Sequence, residues 1–273
     1  MLKQRLLSAL VMVPLVIVIV LYVDQRTFAL LVALALLVAA WEWTGLVPLR
    51  SRRARVLYLA ATAAVTAVAW HFARSEGFVN ALLWVALLWW VFVLFWVSRP
   101  MLGRGDSPVV RGAKALLGIG LLVSTWLALV VLHGRPDQGP HWVLYVMFLV
   151  WFADSGAYFA GKAFGQRKLA PEVSPGKTWE GVYGALAASA LFAFGYAWWL
   201  GLRAGTFTGF ILVCLVTVLF SIIGDLLESL LKRQRGVKDS GTLIPGHGGV
   251  LDRTDSLLAA APVFLFGMRW VGI

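Results

Sequence analysis

The sequence is poor in charge and almost without cysteine. Only 14% of its 273 residues are charged, and it contains a single cysteine, Cys214, and four histidines. One cysteine excludes an intrachain disulfide and any metal site built from several cysteines. Since 60% of the residues are apolar, too few polar side chains remain to cover a soluble domain. The composition therefore indicates a protein that lies in a membrane.

Long apolar stretches follow one another along the whole chain. About 20 apolar residues in a helix cross a hydrocarbon core of roughly 30 Å. Nine such stretches occur, near 6–23, 28–47, 56–73, 78–97, 113–132, 141–161, 182–200, 207–224 and 254–271. We therefore predict an all-α, polytopic bundle of about nine transmembrane helices. The first stretch is long for a signal peptide and lacks an obvious cleavage site, so we expect it to be an anchor.

The net charge of +11 does not indicate a nucleic-acid partner, because the cations are scattered in short loops. With nine spans, nineteen of the 24 lysines and arginines fall on one side of the membrane. The other side receives the remaining five: Arg26, Arg74, Arg135, Arg203 and Arg269. The positive-inside rule then predicts a cytoplasmic N-terminus and an external C-terminus. Basic loops also bind anionic lipid headgroups without doing chemistry, which is the alternative interpretation of these clusters.

Polar and acidic residues enter the spans mainly from the sixth onward. We expect one membrane domain, in which residues 1–135 are mainly scaffold and residues 136–273 carry the chemistry. Ionisable groups at membrane depth are costly and usually face an interior or an aqueous cavity. Asp154, in the sixth span, is therefore predicted to be functional, with pairing inside the bundle as the alternative.

The eighth apolar stretch continues into a charged segment. If the helix persists, Asp225, Glu228, Ser229 and Lys232 share one face, since they lie three, four and seven residues apart. Acidic and basic groups would then line one wall at the membrane surface. The alternative is an ordinary helix end whose charges are solvated.

A glycine-rich turn follows before the last span. Pro245, Gly246, Gly248 and Gly249 predict a tight backbone turn whose amide groups a phosphate can approach. His247, inside this turn, either contacts a phosphate or caps the turn.

Two aspartates begin the last span. Asp252 and Asp255 lie one helical turn apart and could face Asp225 and Glu228. Carboxylates at that density repel unless they are protonated or bridged by a cation, and oxygen ligands favour Mg²⁺ or Mn²⁺. Stabilisation of the helix N-terminus is the alternative role for this pair.

The loop after the sixth span contains Gly-Lys-Thr, which invites comparison with a phosphate-binding P-loop. That motif requires a glycine at the position of Pro171 and a preceding strand, so we reject it. We expect instead a basic, hydroxyl-bearing loop that contacts phosphates through Ser174, Lys177 and Thr178.

The 27 positions from Ser229 to Asp255 resemble, without departure, the signature of the phosphatidate cytidylyltransferases, the CDP-diacylglycerol synthases. The Ser-Pro-x-Lys-Thr-x-Glu-Gly loop and the Asp-x-x-Ala-Tyr segment at Asp154 are also similar to those of the family. The motifs cover residues 154–255, and the N-terminal spans match in hydrophobicity alone.

The resemblance implies condensation of CTP with phosphatidate, giving CDP-diacylglycerol and pyrophosphate, in the cell inner membrane. It implies that Asp225 and Asp252 bind Mg²⁺, that a monovalent cation such as K⁺ shares the site, and that the enzyme is a homodimer. The other expected catalytic residues, which clamp phosphates or orient the cations, are Lys232, Arg233, Lys238, Asp239, Arg253 and Asp255. The expected substrate-binding residues are Asp154, Ser174, Lys177, Thr178, Glu180, Glu228, Ser229, His247, Gly248 and Gly249.

Two other functions compete with this prediction. A CTP-dependent lipid kinase would need similar metal and phosphate ligands, but it would release CDP in place of pyrophosphate. A cation-coupled transporter would place polar residues in both halves of the chain, whereas here they gather at one membrane face.

Overall fold

The computed structural model describes residues 2–49, 51–243 and 248–273, and of residues 2–9 the backbone alone. These described residues form nine α-helices and two short strands. In chain order they are α1 (Leu2–Tyr22), α2 (Gln25–Leu46), α3 (Arg52–Phe72), α4 (Glu76–Val97), α5 (Pro108–His133), α6 (Gly139–Phe164), β1 (Lys168–Ala170), β2 (Ser174–Thr178), α7 (Trp179–Trp199), α8 (Ala204–Arg235) and α9 (Leu251–Val271).

The predicted helical membrane bundle is confirmed. Every predicted span overlaps one of these helices, and seven of them, α2 to α8, are long and apolar enough to cross a membrane. The described part of α1 adds a shorter apolar helix, Leu10–Tyr22. The molecule is therefore a multi-pass membrane protein, whereas the orientation of its termini stays a prediction.

Short polar side chains start most of the helices. Asp24, Ser51, Ser75, Ser107 and Thr178 each accept a hydrogen bond from a backbone N–H in the first turn of α2, α3, α4, α5 and α7. These bonds satisfy amide groups that have no partner within the helix. Helix α9 differs, because the residue at its N-cap, Val250, has no side-chain atom that can accept a hydrogen bond from the first turn.

Helix α5 lies at the centre of the bundle, where it packs against α2, α3, α6 and α9. The most extensive contacts between helices are those of α6 with α7 and of α8 with α9. Cys214 on α8 is buried, and its Sγ lies 3.2 Å from the Tyr145 hydroxyl on α6. The C-terminal helices therefore form one packed unit.

A small antiparallel hairpin connects α6 to α7 and was not predicted. Strands β1 and β2 pair Lys168 with Thr178 and Ala170 with Ser174. Between them, the Val173 backbone N–H donates to the Ala170 carbonyl, and the Val173 side chain is buried. The hairpin contacts α7 and α8 and carries the basic loop.

Candidate active site

One face of α8 carries the predicted charged residues, because the helix continues to Arg235. Asp225, Glu228, Ser229 and Lys232 lie on this face, as their spacing predicts. The Ser229 hydroxyl donates to Asp225 Oδ1 over 3.3 Å, and Lys232 Nζ donates to Glu228 Oε2 over 3.0 Å. Glu228 is almost fully buried, so Lys232 supplies a charge partner that water cannot.

The start of α9 meets this face through Asp252. Lys232 Nζ lies 2.8 Å from Asp252 Oδ1, and the Asp252 side chain is only 5% exposed. Asp252 also accepts from the backbone N–H and hydroxyl of Ser240 and from the Gly249 N–H. Lys232 thus bridges Glu228 and Asp252, which joins the end of α8 to the beginning of α9. Ser240 is a partner that the sequence did not indicate.

Glu42 on α2 supplies the missing N-terminal cap of α9. Its two carboxylate oxygens accept hydrogen bonds from the backbone N–H groups of Val250, at 3.1 Å, and Leu251, at 2.8 Å. The side chain is buried, with 7% of the residue exposed. A carboxylate is well suited to the positive N-terminal end of a helix. The N-terminal half of the chain therefore contributes a side chain that holds the start of α9.

A second N-terminal contact supports the end of α8. Lys114 on α5 is buried, and its Nζ donates to Gln234 Oε1 over 2.8 Å. Gln234 in turn donates to the carbonyl groups of Pro100 and Leu102 in the loop before α5. These bonds fix the segment from which Lys232 and Arg233 project.

The glycine turn lies close to the carboxylates of Asp252 and Glu42. Gly248 has a φ of +85°, and a Cβ there would lie 2.7 Å from Asp252 Oδ2. A Cβ at Gly249 would overlap the Glu42 carboxylate. The predicted close-approach turn is thus present at these two positions. His247, like residues 244–246, lies outside the described residues.

Lys177 brings the hairpin to α8. Its Nζ lies 2.7 Å from Asp225 Oδ2, and both side chains are partly exposed, at 24% and 32%. Strand β2 therefore delivers a cation to the same helix face that holds Glu228 and Lys232. This contact joins the two sequence segments that were predicted to handle phosphate.

Further carboxylates surround Asp225 and Glu228. Asp154 on α6 and Asp255 on α9 each experience the negative charge of Asp225, which Lys177 partly offsets. Glu228 likewise interacts with Asp252 and Asp255. Side chains from α2, α6, β2, α8, the loop after α8, and α9 therefore meet at one end of the bundle.

Several predicted substrate-binding residues have structural contacts. The Thr178 hydroxyl accepts from the Gly181 N–H and caps α7, and Glu180 accepts from the backbone N–H groups of Gln166 and Arg167. Ser174 begins β2 opposite Ala170. These contacts shape the hairpin, and direct substrate contacts by these three residues stay a prediction.

The remaining basic candidates lie at the rim. Arg233 is exposed and donates through Nε to the Val173 carbonyl over 3.3 Å. Lys238 and Arg253 are exposed, and so is the acidic candidate Asp239. The site therefore has a partly buried centre of carboxylates and two lysines, surrounded by an accessible basic edge.

The donor chemistry of this centre fits an oxygen-coordinated cation. Among the described residues, none donates a hydrogen bond to the buried Glu228 Oε1, and Asp252 and Asp255 are acidic neighbours of Glu228. Within the described ranges, no three His, Cys, Asp or Glu side chains are already arranged around a common metal position. A cation here would therefore need ligands from a bound substrate in addition to the protein carboxylates.

Comparison with known proteins defines the family to which this chain belongs. The model of the cytidylyltransferase family matches residues 3–271, and the chain belongs to this family. Its motifs at Ser229–Asp255 fall within the match.

Within that family, the similar curated proteins are phosphatidate cytidylyltransferases. That of Pseudomonas aeruginosa is 43% identical over 268 residues, which cover 97% of this chain and 96% of the relative. That of Haemophilus influenzae is 39% identical over 289 residues, covering 97% and 98%. That of Bacillus subtilis is 44% identical over 140 residues, about half of each chain. The resemblance predicted from the motifs is confirmed.

Proposed function

We propose that this enzyme transfers the cytidylyl group of CTP to phosphatidate, forming CDP-diacylglycerol and pyrophosphate. The names of the full-length relatives supply the substrate class. The observation that carries the proposal is the paired arrangement of Lys177 with Asp225 and Lys232 with Asp252 at one end of the bundle. It offers cations for phosphate groups and carboxylates for a metal ion in the same place.

The reaction needs no nucleophile from the protein. A phosphate oxygen of phosphatidate forms a bond to the α-phosphorus of CTP. The bond from that phosphorus to the oxygen that bridges the α- and β-phosphates breaks, and pyrophosphate leaves with the electron pair. Catalysis of such a displacement rests on positioning and on neutralising negative charge.

Lys177 and Lys232 are placed to supply part of that charge. Each ammonium group holds a carboxylate in the structure, and each is partly accessible to solvent. A triphosphate entering the site offers stronger anionic partners, so both lysines can turn to phosphate oxygens. Arg233, Lys238 and Arg253, at the exposed edge, can hold the outer phosphates or the lipid headgroup.

Asp225 and Asp252 would hold the divalent ion, Mg²⁺ or Mn²⁺. When bound, such an ion neutralises charge on the triphosphate and on the leaving pyrophosphate. Glu228, Asp239 and Asp255 would complete or orient this carboxylate set, with a monovalent cation such as K⁺ as a further occupant. We place the site at the cytoplasmic face of the inner membrane, in a homodimer, following the distribution of cations and the family resemblance.

The decisive experiment identifies the products. Purified protein in lipid is given radiolabelled CTP, phosphatidate and Mg²⁺, with EDTA as the control. We expect CDP-lipid and pyrophosphate in equal amounts, and no product in EDTA. Release of CDP with a phosphorylated lipid would show a kinase, and ion transport without either product would show a transporter.

The same assay tests Asp252. We expect Asp252→Asn to lower kcat/KM by at least about 100-fold, because a charge-stabilising group at the reacting phosphates is lost. Asp137→Asn, between α5 and α6, is the matched control and should keep full activity. A fully active Asp252→Asn variant would remove Asp252 from the site.

A further inference from the structure

A large cavity lies at the end of the bundle opposite the active site. It has a volume of about 1280 Å³ and is bordered by α2, α3 and α5, and by Arg269 near the end of α9. Arg269 follows Asp252 by seventeen residues on this helix, which corresponds to about 25 Å along its axis. The cavity is therefore separate from the carboxylate and lysine cluster.

The wall of the cavity between α2 and α3 includes four alanines, together with larger side chains such as Leu30, Leu37 and Trp70. Leu30 is 67% exposed, so the wall continues onto the outer surface of the bundle. Trp70 and Trp126 meet edge to face at the inner side, with ring centres 6.1 Å apart. The small wall residues are Ala29, Ala33, Ala63 and Ala67. A groove of this kind, between two helices that are long and apolar enough to cross a membrane, fits an acyl chain.

The mouth of the cavity is strongly basic. Its lining includes four arginines, Arg26, Arg74, Arg135 and Arg269, but only one acidic residue, Glu76. These four are among the five cations that the span count assigns to the less basic side of the membrane. In the part of the chain that the structure describes, none of the four forms a side-chain ion pair with a carboxylate. Four of the five cations on this side of the membrane therefore lie at the mouth of one cavity.

Arg135 and Arg269 form the centre of this charge. Both are half-buried, and both also line an adjoining cavity of about 330 Å³. Burial, followed by repulsion from Arg269, lowers the pKa of the Arg135 guanidinium, and Asp137 offsets only part of this. Two neighbouring, partly buried guanidinium groups gain from an anion between them, and their planar donor pattern suits phosphate.

We propose that this groove binds an anionic phospholipid of the leaflet opposite the active site. Its phosphate lies against Arg135 and Arg269, and one acyl chain lies between α2 and α3. The combination of a basic mouth and an apolar wall open to the membrane distinguishes this ligand from a soluble anion, which would leave the wall uncovered.

The test is lipid retention by the purified full-length protein in detergent, followed by native mass spectrometry. Phosphatidylglycerol and phosphatidylcholine are the two probes. We expect the protein to retain phosphatidylglycerol about tenfold better than phosphatidylcholine. The double variant Arg135→Gln, Arg269→Gln should lose about tenfold of this retention.

Two further variants separate the groove from general charge and from the active site. Arg203→Gln removes the fifth cation assigned to the same side, which does not line the cavity, and should retain lipid normally. Ala33→Trp keeps all the arginines but fills the groove, and should also lose phosphatidylglycerol. If the double arginine variant does not fold, Ala33→Trp still tests the proposal.

Several outcomes would overturn the proposal. Equal retention of the two lipids, or an equal loss in Arg203→Gln, would show non-specific charge attraction. Displacement of the bound lipid by millimolar inorganic phosphate would show a small-anion site. A changed fraction of dimer in the double variant, with unchanged lipid retention, would show an interface between copies of the chain.

Discussion

At the scale of single residues, the two aspartates expected to bind metal are each held by a lysine. Lys177 pairs with Asp225 at 2.7 Å and Lys232 with Asp252 at 2.8 Å. The first pair is partly exposed, and such pairs contribute only about 0–1 kcal/mol to stability. Replacing Lys177 therefore tests function with little effect on folding.

We expect Lys177→Met to lower kcat/KM for CTP or phosphatidate by about tenfold or more, because a phosphate ligand is lost while the apolar stem is kept. The measurement is steady-state kinetics with each substrate varied in turn. Lys168→Met, in the same hairpin but exposed, is the matched control and should behave as the unaltered enzyme. If both variants have normal kinetics, the hairpin has a structural role only.

At the scale of secondary-structure elements, α9 depends on a residue of α2 for its beginning. Glu42 accepts the first two free N–H groups of α9, and this holds Asp252 in the second position of the helix. Glu42 is thus a positioning residue for a carboxylate of the site.

We expect Glu42→Gln to cost about 1–3 kcal/mol of stability, because one of two buried N–H groups loses a charged acceptor. The melting temperature in detergent should fall, and kcat should fall more than the affinity for CTP. Glu172→Gln, in the exposed turn of the hairpin, should change neither quantity. Unaltered melting and kcat in Glu42→Gln would show that α9 starts correctly without this cap.

The contact between α8 and α9 requires glycine at position 224. A Cβ there would lie 2.5 Å from the Asp255 carbonyl oxygen, so the two backbones would have to separate. We expect Gly224→Ala to lower the melting temperature, at a cost of about 1–3 kcal/mol, and to reduce activity. Gly195→Ala, on α7 with open space around it, is the control and should be as stable as the unaltered protein. Equal stability of both variants would contradict the close packing.

At the scale of the whole molecule, the distribution of cations predicts which loops face the cytoplasm. Cys214 is buried, so a new cysteine can be labelled without background. In intact cells, Asp137→Cys should react with a membrane-impermeant maleimide, whereas Gly105→Cys should react only after permeabilisation. The reverse pattern would invert the proposed orientation and place the active site outside.

Much of this architecture could be predicted because it depends on local sequence. A run of about 20 apolar residues specifies a membrane helix wherever it lies, and the 3.6-residue period puts Asp225, Glu228 and Lys232 on one face. The hairpin was missed because strands of three and five residues give too short a pattern.

Glu42 was missed for a different reason. Its partner Val250 lies 208 residues away, and no local pattern reports such a contact. A signal nevertheless existed, since Glu42 is an ionisable residue inside the predicted span 28–47. The rule that marked Asp154 applies equally to Glu42. Ser240 gave no comparable signal, because a serine in a polar loop is common.

The length of α8 has a consequence for where the enzyme can work. Its 32 residues extend about 48 Å, well beyond a hydrocarbon core of roughly 30 Å, and Asp225 lies about 32 Å from Ala204. The continuous helix α8 thus sets the depth of Asp225 and its neighbours in the site relative to the lipid phosphates. In a thicker or thinner bilayer the helix must tilt, which carries these groups below or above the headgroup plane. Turnover should therefore depend on the acyl-chain length of the surrounding lipids, even when the substrate itself is unchanged.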